Sequence, residues 1–142
     1  MKQEARKNAR KYAMQAIYSW ELSKNSTIEI IKQYKKIFYK KNIDLTYFNE
    51  LITNIIIHYK ILDELIQNNL EQKFSRLGQI EKAILRIAFY ELLNRFDIPY
   101  KVSINEGIEL AKIFGSRDSH KFINSILDKG AKNIRVNKIK KF

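Results

Sequence analysis

Cysteine is absent from this sequence of 142 residues, and glycine and proline are scarce, with four and one respectively. Without cysteine the chain has no disulfides, thiolate metal ligands or cysteine nucleophiles, which fits a reducing compartment, and we expect a cytoplasmic protein. Because glycine and proline punctuate loops and turns, their scarcity favours helices.

Long apolar runs are also missing. The most apolar stretch, Leu51–Leu70, is interrupted by polar and charged residues and falls short of the roughly 18 apolar residues that a membrane helix needs. The cations near the N-terminus are not followed by the apolar segment of a signal peptide. We therefore expect neither a membrane span nor a signal sequence.

Acidic residues are too few to balance the basic ones. The chain has 15 aspartates and glutamates against 27 lysines and arginines, and its formal net charge is +12. A field of that sign attracts polyanions such as nucleic acid. A genome biased toward Lys, Ile and Asn produces the same excess without any such partner, so the position of the charge is more informative than its total.

The first helix opens with five cations in its first eleven residues, namely Lys2, Arg6, Lys7, Arg10 and Lys11. Apolar residues recur every three or four positions across 5–20, which predicts one buried face. Arg6 and Arg10 lie four apart on another face, and Met14 and Tyr18 continue that row. Cations that meet phosphates and an aromatic that stacks on bases make this face a candidate RNA-binding element, while a solvated charged face explains the pattern equally well.

Three helical segments are predicted in the first half of the chain. The first covers Glu4–Ser23, and Ser26 opens the second with a capping box. Apolar spacing is helical throughout Leu45–Phe74, but thirty residues are long for one globular helix, so a break is expected near 58–61 or 68–69.

The second half is organised around one strongly apolar helix. Residues Ile80–Asn94 are apolar nearly all round, which is typical of a central helix surrounded by others. Pro99 marks a turn, and Ser103 opens a second capping box for the helix that follows. That helix is predicted to end at Gly115, and Ser116 to cap the last one. With no strand alternation, the predicted fold class is all-α with about seven helices.

Two further basic segments have structural explanations. The lysines at 35–41 close the second helix, where cations compensate the negative end of the helix dipole. From Lys129 onward the chain has six cations and no acid. We predict a single domain across 1–142 whose residues 131–142 form a flexible basic tail.

No catalytic arrangement is evident. The glycines are isolated, so there is no phosphate loop, and His58 is interpreted as a boundary histidine because one imidazole makes no metal site. Asp118, Ser119 and His120 have the residue types of a hydrolytic triad, but neighbours on a helix point about 100° apart and cannot align. We expect a non-catalytic protein without metal or cofactor.

Two elements have both a binding and a structural interpretation. The helix start at 116–122 offers free N–H donors, cations and Phe122 to RNA, but the residues alone favour a simple cap with Phe122 in the core. Glu81 and Arg86 are charged residues of the apolar central helix, and they form either a partner contact or an ordinary exposed stripe.

Four motifs point to a known family. They are GQIEKAILRIAFYEL at 78–92, DIPYKV at 97–102, DSHKFIN at 118–124 and QAIYSWEL at 15–22. Together they resemble the NusB family of bacterial transcription antitermination factors. The resemblance covers nearly the whole chain and is weakest across 24–73.

The resemblance implies two small helical subdomains packed around a shared central helix. It also implies binding of the single-stranded box A element in nascent ribosomal-operon RNA, as a heterodimer with the small-subunit ribosomal protein NusE. That pair acts in the antitermination complex of RNA polymerase and helps the enzyme to pass terminators. The RNA element and both protein partners come from the resemblance alone.

The resemblance also assigns RNA contacts. Its arginine-rich start matches four phosphate-contact candidates, Lys2, Arg6, Lys7 and Arg10. Tyr18, further along the same helix, is assigned to the RNA-binding residues. Asp118 and Phe122 match positions near the RNA path, with Phe122 as a stacking candidate and Asp118 as a group that orients a donor or tempers affinity.

Three residues match the region that faces NusE or the edge of the RNA, and we assign them to the NusE interface, namely Arg76, Glu81 and Arg86. The chain departs from the family at Ser75, which is small and uncharged where an acid for NusE is expected. Gln3, Glu4 and Asn8 dilute the basic start.

Other functions compete with this interpretation. NusB-like domains also precede the catalytic domain of some RNA cytosine methyltransferases, but no glycine-rich strand-turn-helix for a methyl donor is present here. A scaffold that binds protein without RNA would use the basic face only for solubility. A helix-turn-helix DNA binder is disfavoured because the helices around Pro99 lack the short turn of that motif. Apolar surface also permits a homodimer of the free protein.

Overall fold

Helices make up the regular structure of this protein. The computed structural model describes residues 2–39 and 41–136, within which there are seven α-helices and no strand. Their bounds are α1 (Lys2–Ser23), α2 (Thr27–Ile37), α3 (Leu45–Ile57), α4 (Tyr59–Gln67), α5 (Gln79–Asn94), α6 (Tyr100–Phe114) and α7 (Ser119–Ala131). The predicted all-α class is confirmed, and the chain divides into two units, Met1–His58 and Tyr59–Phe142.

The first unit consists of α1, α2 and α3. Both α1 and α2 pack against α3, and the predicted inward face of α1 is confirmed, since Ala9, Ala13 and Ile17 are fully buried. α1 stops where expected, because Lys24 adopts a left-handed φ of 58° that no helix continues. Ser26 caps α2 by accepting the Glu29 backbone N–H over 3.2 Å, which confirms the Ser26 half of the predicted capping box.

Aromatic rings fill the core of this unit. The Phe38 ring centroid lies 5.0 Å from that of Tyr12, 5.6 Å from Tyr34 and 4.8 Å from Phe48. Each such pair contributes about 0.5–1.5 kcal/mol beyond its buried area. Burial raises the pKa of the Tyr34 phenol above its ordinary value, although a hydrogen bond with the Ser19 side chain opposes the shift.

The long helical segment from residue 45 is broken in both expected places. His58 separates α3 from α4, and α4 ends at Gln67, just before Asn68. A short 3₁₀ turn, Phe74–Arg76, then precedes α5.

In the second unit α5 is the central helix. It packs against α4, α6 and α7, and every residue from Lys82 to Leu93 is buried. This confirms the prediction of a helix surrounded by others. The fit against α7 is close, because a Cβ built on Gly130 would lie 2.5 Å from the Phe89 ring.

Two predicted helix caps are wrong. α6 already begins at Tyr100, because Pro99 has a fixed φ suited to a helix start, so Ser103 lies inside the helix. There the buried Ser103 hydroxyl donates to Glu91 Oε1 over 2.8 Å instead of capping. α7 begins at Ser119, with Asp118 rather than Ser116 in the N-cap position.

The predicted flexible tail is wrong over residues 131–136. Ala131 belongs to α7, a π-helical turn follows at Lys132–Val136, and Ile134 is 1% exposed. The Arg135 guanidinium donates to the backbone carbonyls of four residues at 2.6–3.1 Å, namely Glu91, Leu92, Arg95 and Ile98. These bonds tie the closing turn to the last turn of α5 and to the loop that follows it. The rest of the predicted tail, 137–142, lies outside the described residues.

Candidate nucleic-acid interface

The basic start of α1 is fastened to the segment that leads into α3. The Asp44 backbone N–H donates to the Ala5 carbonyl over 3.1 Å, and Asn8 Nδ2 donates to the Asn42 carbonyl over 2.9 Å. These bonds hold the first turns of α1 against residues 42–44. The cations here therefore lie on a folded surface instead of a free arm.

Arg6 is the best-defined cation of this surface. Its guanidinium carbon lies 4.7 Å from the Tyr47 ring centroid, and its Nε lies 3.8 Å from Asp44 Oδ2. The other oxygen of the same carboxylate, Oδ1, accepts the Tyr47 backbone N–H at 3.0 Å and caps α3. One carboxylate thus starts α3 and orients Arg6, whose side chain stays 35% exposed.

A surface cavity of about 350 Å³ opens beside this guanidinium, lined by Lys2, Gln3, Arg6 and Asp44. Lys2 and Lys7 are exposed. A planar guanidinium flanked by ammonium groups suits a phosphate, because its N–H donors match the phosphate oxygens. Three of the four predicted phosphate contacts on α1 are therefore accessible.

Arg10, the fourth candidate, does not belong to the exposed surface. It is only 4% exposed, and its guanidinium carbon lies 5.7 Å from the Tyr47 ring centroid. Met14, the next residue of the row, is 2% exposed. Positions four apart advance about 40° around a helix at each step, so the row winds into the buried face. The prediction that Arg10 presents its charge to solvent is wrong, whereas Tyr18 is 37% exposed as expected.

Asp44 and Tyr47 are the residues of this surface that sequence reasoning missed. Asp44 is recognisable as the N-cap of α3, and it fills that role. Its second contact, to Arg6, arises because the loop before α3 folds back onto α1. No local pattern in the sequence carries that information.

In the second unit the starts of α5 and α7 meet at Glu81. Its Oε2 accepts the Ser119 hydroxyl at 2.8 Å, and its Oε1 accepts the Gly78 backbone N–H at 3.3 Å. The carboxylate therefore caps α5 and holds the first residue of α7. This places Glu81, assigned to NusE, close to Asp118, assigned to RNA.

The start of α7 presents three of the side chains singled out in the sequence. Asp118 is exposed, makes no side-chain capping bond, and has Oδ1 3.6 Å from Lys121 Nζ. Phe122 is half-buried, so part of its ring is accessible while the rest packs into the unit. Ser119 donates to Glu81 and not to His120, which removes the triad interpretation.

The three residues assigned to NusE differ in accessibility. Arg76 is exposed on the 3₁₀ turn, and Glu81 is half-buried. Arg86 is 2% exposed and bonds to both carboxylate oxygens of Asp63 through one edge of its guanidinium, Nε to Oδ1 at 2.7 Å and Nη2 to Oδ2 at 2.8 Å. The prediction that Arg86 reaches the surface is wrong, because an acid from α4 neutralises it inside the unit.

Across 2–39 and 41–136, no group of three His, Asp or Glu side chains is placed to hold a metal ion. None of the helices described there is long and apolar enough to cross a membrane.

These features define a class of protein. It is a small, basic, all-α protein in which fixed guanidinium and ammonium groups lie beside aromatic rings. Such surfaces bind nucleic acid, because the cations attract phosphates and the rings stack on bases.

Comparison with known proteins then gives the family. The NusB family model matches residues 7–132. The chain is 54% identical over 136 residues to transcription antitermination protein NusB of Buchnera aphidicola subsp. Baizongia pistaciae, covering 96% of this chain and 94% of that protein. It is 50% identical over 138 residues to NusB of Erwinia tasmaniensis, covering 97% and 99%. The chain belongs to the NusB family of transcription antitermination proteins, a non-catalytic regulatory family.

Solved structures agree with this assignment. NusB of T. maritima superposes with a TM-score of 0.78 at 32% identity, covering 89% of each chain. A crystal structure of antitermination factors NusB and NusE in complex with dsRNA matches with a TM-score of 0.79 at 25% identity, covering 92% of this chain and 98% of that one.

Proposed function

We propose that this antitermination protein binds the single-stranded box A element of ribosomal-operon RNA as a heterodimer with NusE, within the cytoplasmic antitermination complex of RNA polymerase. The observation that carries the proposal is Arg6, held over the Tyr47 ring and beside Asp44 at the edge of an open cavity. A guanidinium fixed in this way loses little side-chain freedom when it meets a phosphate.

The remaining RNA contacts of the first unit lie on α1. Lys2 and Lys7 add exposed ammonium groups beside Arg6. Tyr18 offers a partly exposed ring, and base stacking on such a ring is worth about 1–3 kcal/mol. Arg10, buried over Tyr47, supports the surface from inside instead of touching RNA.

The start of α7 supplies contacts from the second unit. The accessible part of the Phe122 ring serves as a stacking platform, and Lys121 as a phosphate donor. Asp118, 3.6 Å from Lys121, orients that ammonium group and reduces its net attraction for phosphate. An acid in this position therefore tempers affinity for RNA in general and leaves more of the selection to base contacts.

The NusE surface is proposed at the start of α5. Arg76 is exposed on the preceding turn, and Glu81 accepts the Gly78 backbone N–H at the start of α5 and the Ser119 hydroxyl of α7. Arg86 contributes through its bond to Asp63 by holding α4 against α5, and does not touch the partner.

The relatives support this proposal. The proteins named NusB at 50% identity or more match nearly the full length of this chain. The NusB of the solved complex is bound together with NusE and dsRNA. Because the proposed target is single-stranded, the test includes a duplex.

The test is a titration of the full chain against labelled box A RNA, a scrambled RNA of equal composition and a box A duplex. Each titration is run with and without NusE at two salt concentrations. We expect single-stranded box A to bind tightest, and NusE to strengthen that binding. Sedimentation of the free chain over a range of concentrations tests whether it forms a homodimer.

Three outcomes contradict the proposal. Equal, salt-sensitive binding to all three RNAs would reduce the basic surface to an electrostatic patch. Binding of NusE without any RNA binding, even in the presence of NusE, would leave a protein-only scaffold. A preference for the duplex over the single strand would overturn the proposed RNA class while keeping the family.

A further inference from the structure

A second group of cations lies further along α1, around Tyr12. Lys41 Nζ donates to the Tyr12 phenol oxygen at 3.3 Å and lies 5.7 Å from the ring centroid. Lys11 Nζ lies 5.8 Å from the same centroid. The lysine run that contains Lys41 is explained by the sequence as a cap for α2, yet this ammonium group reaches α1 instead.

The Tyr12 ring beside these lysines is held in place by packing against Phe38. The Phe38 ring meets Tyr12 nearly edge-on, at 5.0 Å and 67°. Asn42, the next residue after Lys41, is tied to α1 through Asn8. Both the phenol and the loop lysine are therefore positioned before any ligand arrives.

The excess of positive charge around Tyr12 is unusual for a group of residues with a purely structural role. Among the residues that the structure describes, no carboxylate pairs with Lys11 or Lys41, while the nearby Asp44 faces Arg6. Two ammonium groups around one ring repel each other unless an anion compensates them. The phenol oxygen accepts from Lys41, so its own O–H remains available to donate to an anionic oxygen.

We propose that Lys11, Tyr12 and Lys41 form a phosphate-binding clamp that extends the RNA surface of the first unit beyond the arginine-rich start of α1. Lys7 and Lys11 lie four apart, on one side of the helix, so the clamp is continuous with the Arg6 surface. Its ligand is a backbone phosphate of single-stranded RNA, bound by two ammonium groups and the phenol O–H. The clamp rests on the proposed RNA binding.

The test measures how the affinity for single-stranded RNA depends on KCl concentration for the full chain and its variants. Each phosphate contact on a single strand contributes about 0.7 to the slope of log K against log salt. We expect Lys11→Gln and Lys41→Gln each to lower the slope by about that amount. The variants Lys11→Arg and Lys41→Arg keep the charge and should keep the wild-type slope. Tyr12→Phe keeps the slope but lowers affinity about fivefold, through one lost hydrogen bond to a charged group.

Lys32→Gln on α2 is the matched control, since it removes the same charge from an exposed side chain of the same unit. The clamp is refuted if Lys11→Gln and Lys41→Gln change the slope no more than Lys32→Gln. If Arg6→Gln still lowers the slope in that experiment, the proposed RNA binding survives without the clamp. Wild-type protein with no salt-dependent RNA binding would instead contradict the proposed function, and the clamp with it.

Discussion

The hydroxyl of Ser119 donates a 2.8 Å hydrogen bond to the carboxylate of Glu81, across 38 residues of sequence. The other carboxylate oxygen of Glu81 accepts the Gly78 backbone N–H. A single acidic side chain therefore joins the starts of α5 and α7, which carry residues assigned to NusE and to RNA. The two assigned surfaces share a support within the second unit.

This relationship predicts the effect of Ser119→Ala. The variant loses one side-chain hydrogen bond of a buried hydroxyl, and we expect a loss of about 1 kcal/mol in the free energy of unfolding. Urea unfolding followed by circular dichroism measures it. Ser125→Ala, at an exposed position of the same helix, is the control and should leave stability within about 0.5 kcal/mol. Equal stability of the two variants would mean that Glu81 does not fasten α7.

Replacement of Arg86 should be severe. Arg86→Met removes a guanidinium that is 2% exposed and leaves Asp63, at 20% exposure, without its partner, so a loss of about 3 kcal/mol is expected. The double variant Arg86→Met/Asp63→Leu should recover most of that loss, because both buried charges are gone. Thermal unfolding of the three proteins provides the comparison.

Arg95→Met is the control for this prediction. Arg95 binds Asp97 in the same two-pronged way, but Asp97 is 61% exposed, so the pair is worth about 1 kcal/mol or less. If Arg86→Met cost no more than Arg95→Met, the pair inside the second unit would have no special role.

Arg135→Lys tests the closing turn at Lys132–Val136. A lysine keeps the charge but has one nitrogen, and it cannot bind all four carbonyls that the guanidinium binds at the end of α5 and in the loop after it. We expect a loss of about 2 kcal/mol in urea unfolding. Arg117→Lys, at an exposed position, should be neutral. Wild-type stability of Arg135→Lys would show that this turn adds nothing to the fold.

Gly130→Ala tests the packing of α7 on α5. The added Cβ would lie 2.5 Å from the Phe89 ring, so the ring or the helix must move, at a cost of about 1–3 kcal/mol. Phe89→Leu in the same chain should relieve part of that strain. Gly78→Ala is the control, because its nearest atom would be Glu81 Oε1 at 3.6 Å. Thermal unfolding that ranked Gly78→Ala as the more damaging change would contradict the close packing.

Local patterns in the sequence were enough to place most helices. α5 is apolar on every side because it is surrounded in its unit, and that periodicity is visible in the residues themselves. The break at His58 followed from the improbable length of one helix. The capping box at Ser103 failed because two signals competed, and Pro99 became the N-cap, four residues before Ser103.

The site could be predicted only in part, because burial of a charge depends on distant partners. Arg86 looks like a surface residue until Asp63, from another helix, is placed beside it. Arg10 looks exposed because its row begins with Arg6, but the row turns toward Tyr47 and the interior. Lys41 looks like a helix cap until its loop folds onto α1. Each contact joins segments that are far apart in the sequence.

Binding of box A RNA through the exposed start of α1 is tested most directly by comparing Arg6→Gln with Arg10→Gln. The measurement is the affinity of each variant for box A RNA in the presence of NusE at low salt, with Lys112→Gln on α6 as a charge-matched control. We predict that Arg6→Gln weakens binding about tenfold through a lost charged hydrogen bond to phosphate, whereas Arg10→Gln lowers thermal stability and binds within about twofold of wild type. Unchanged affinity of Arg6→Gln, or a loss equal to that of Lys112→Gln, would contradict the proposed interface.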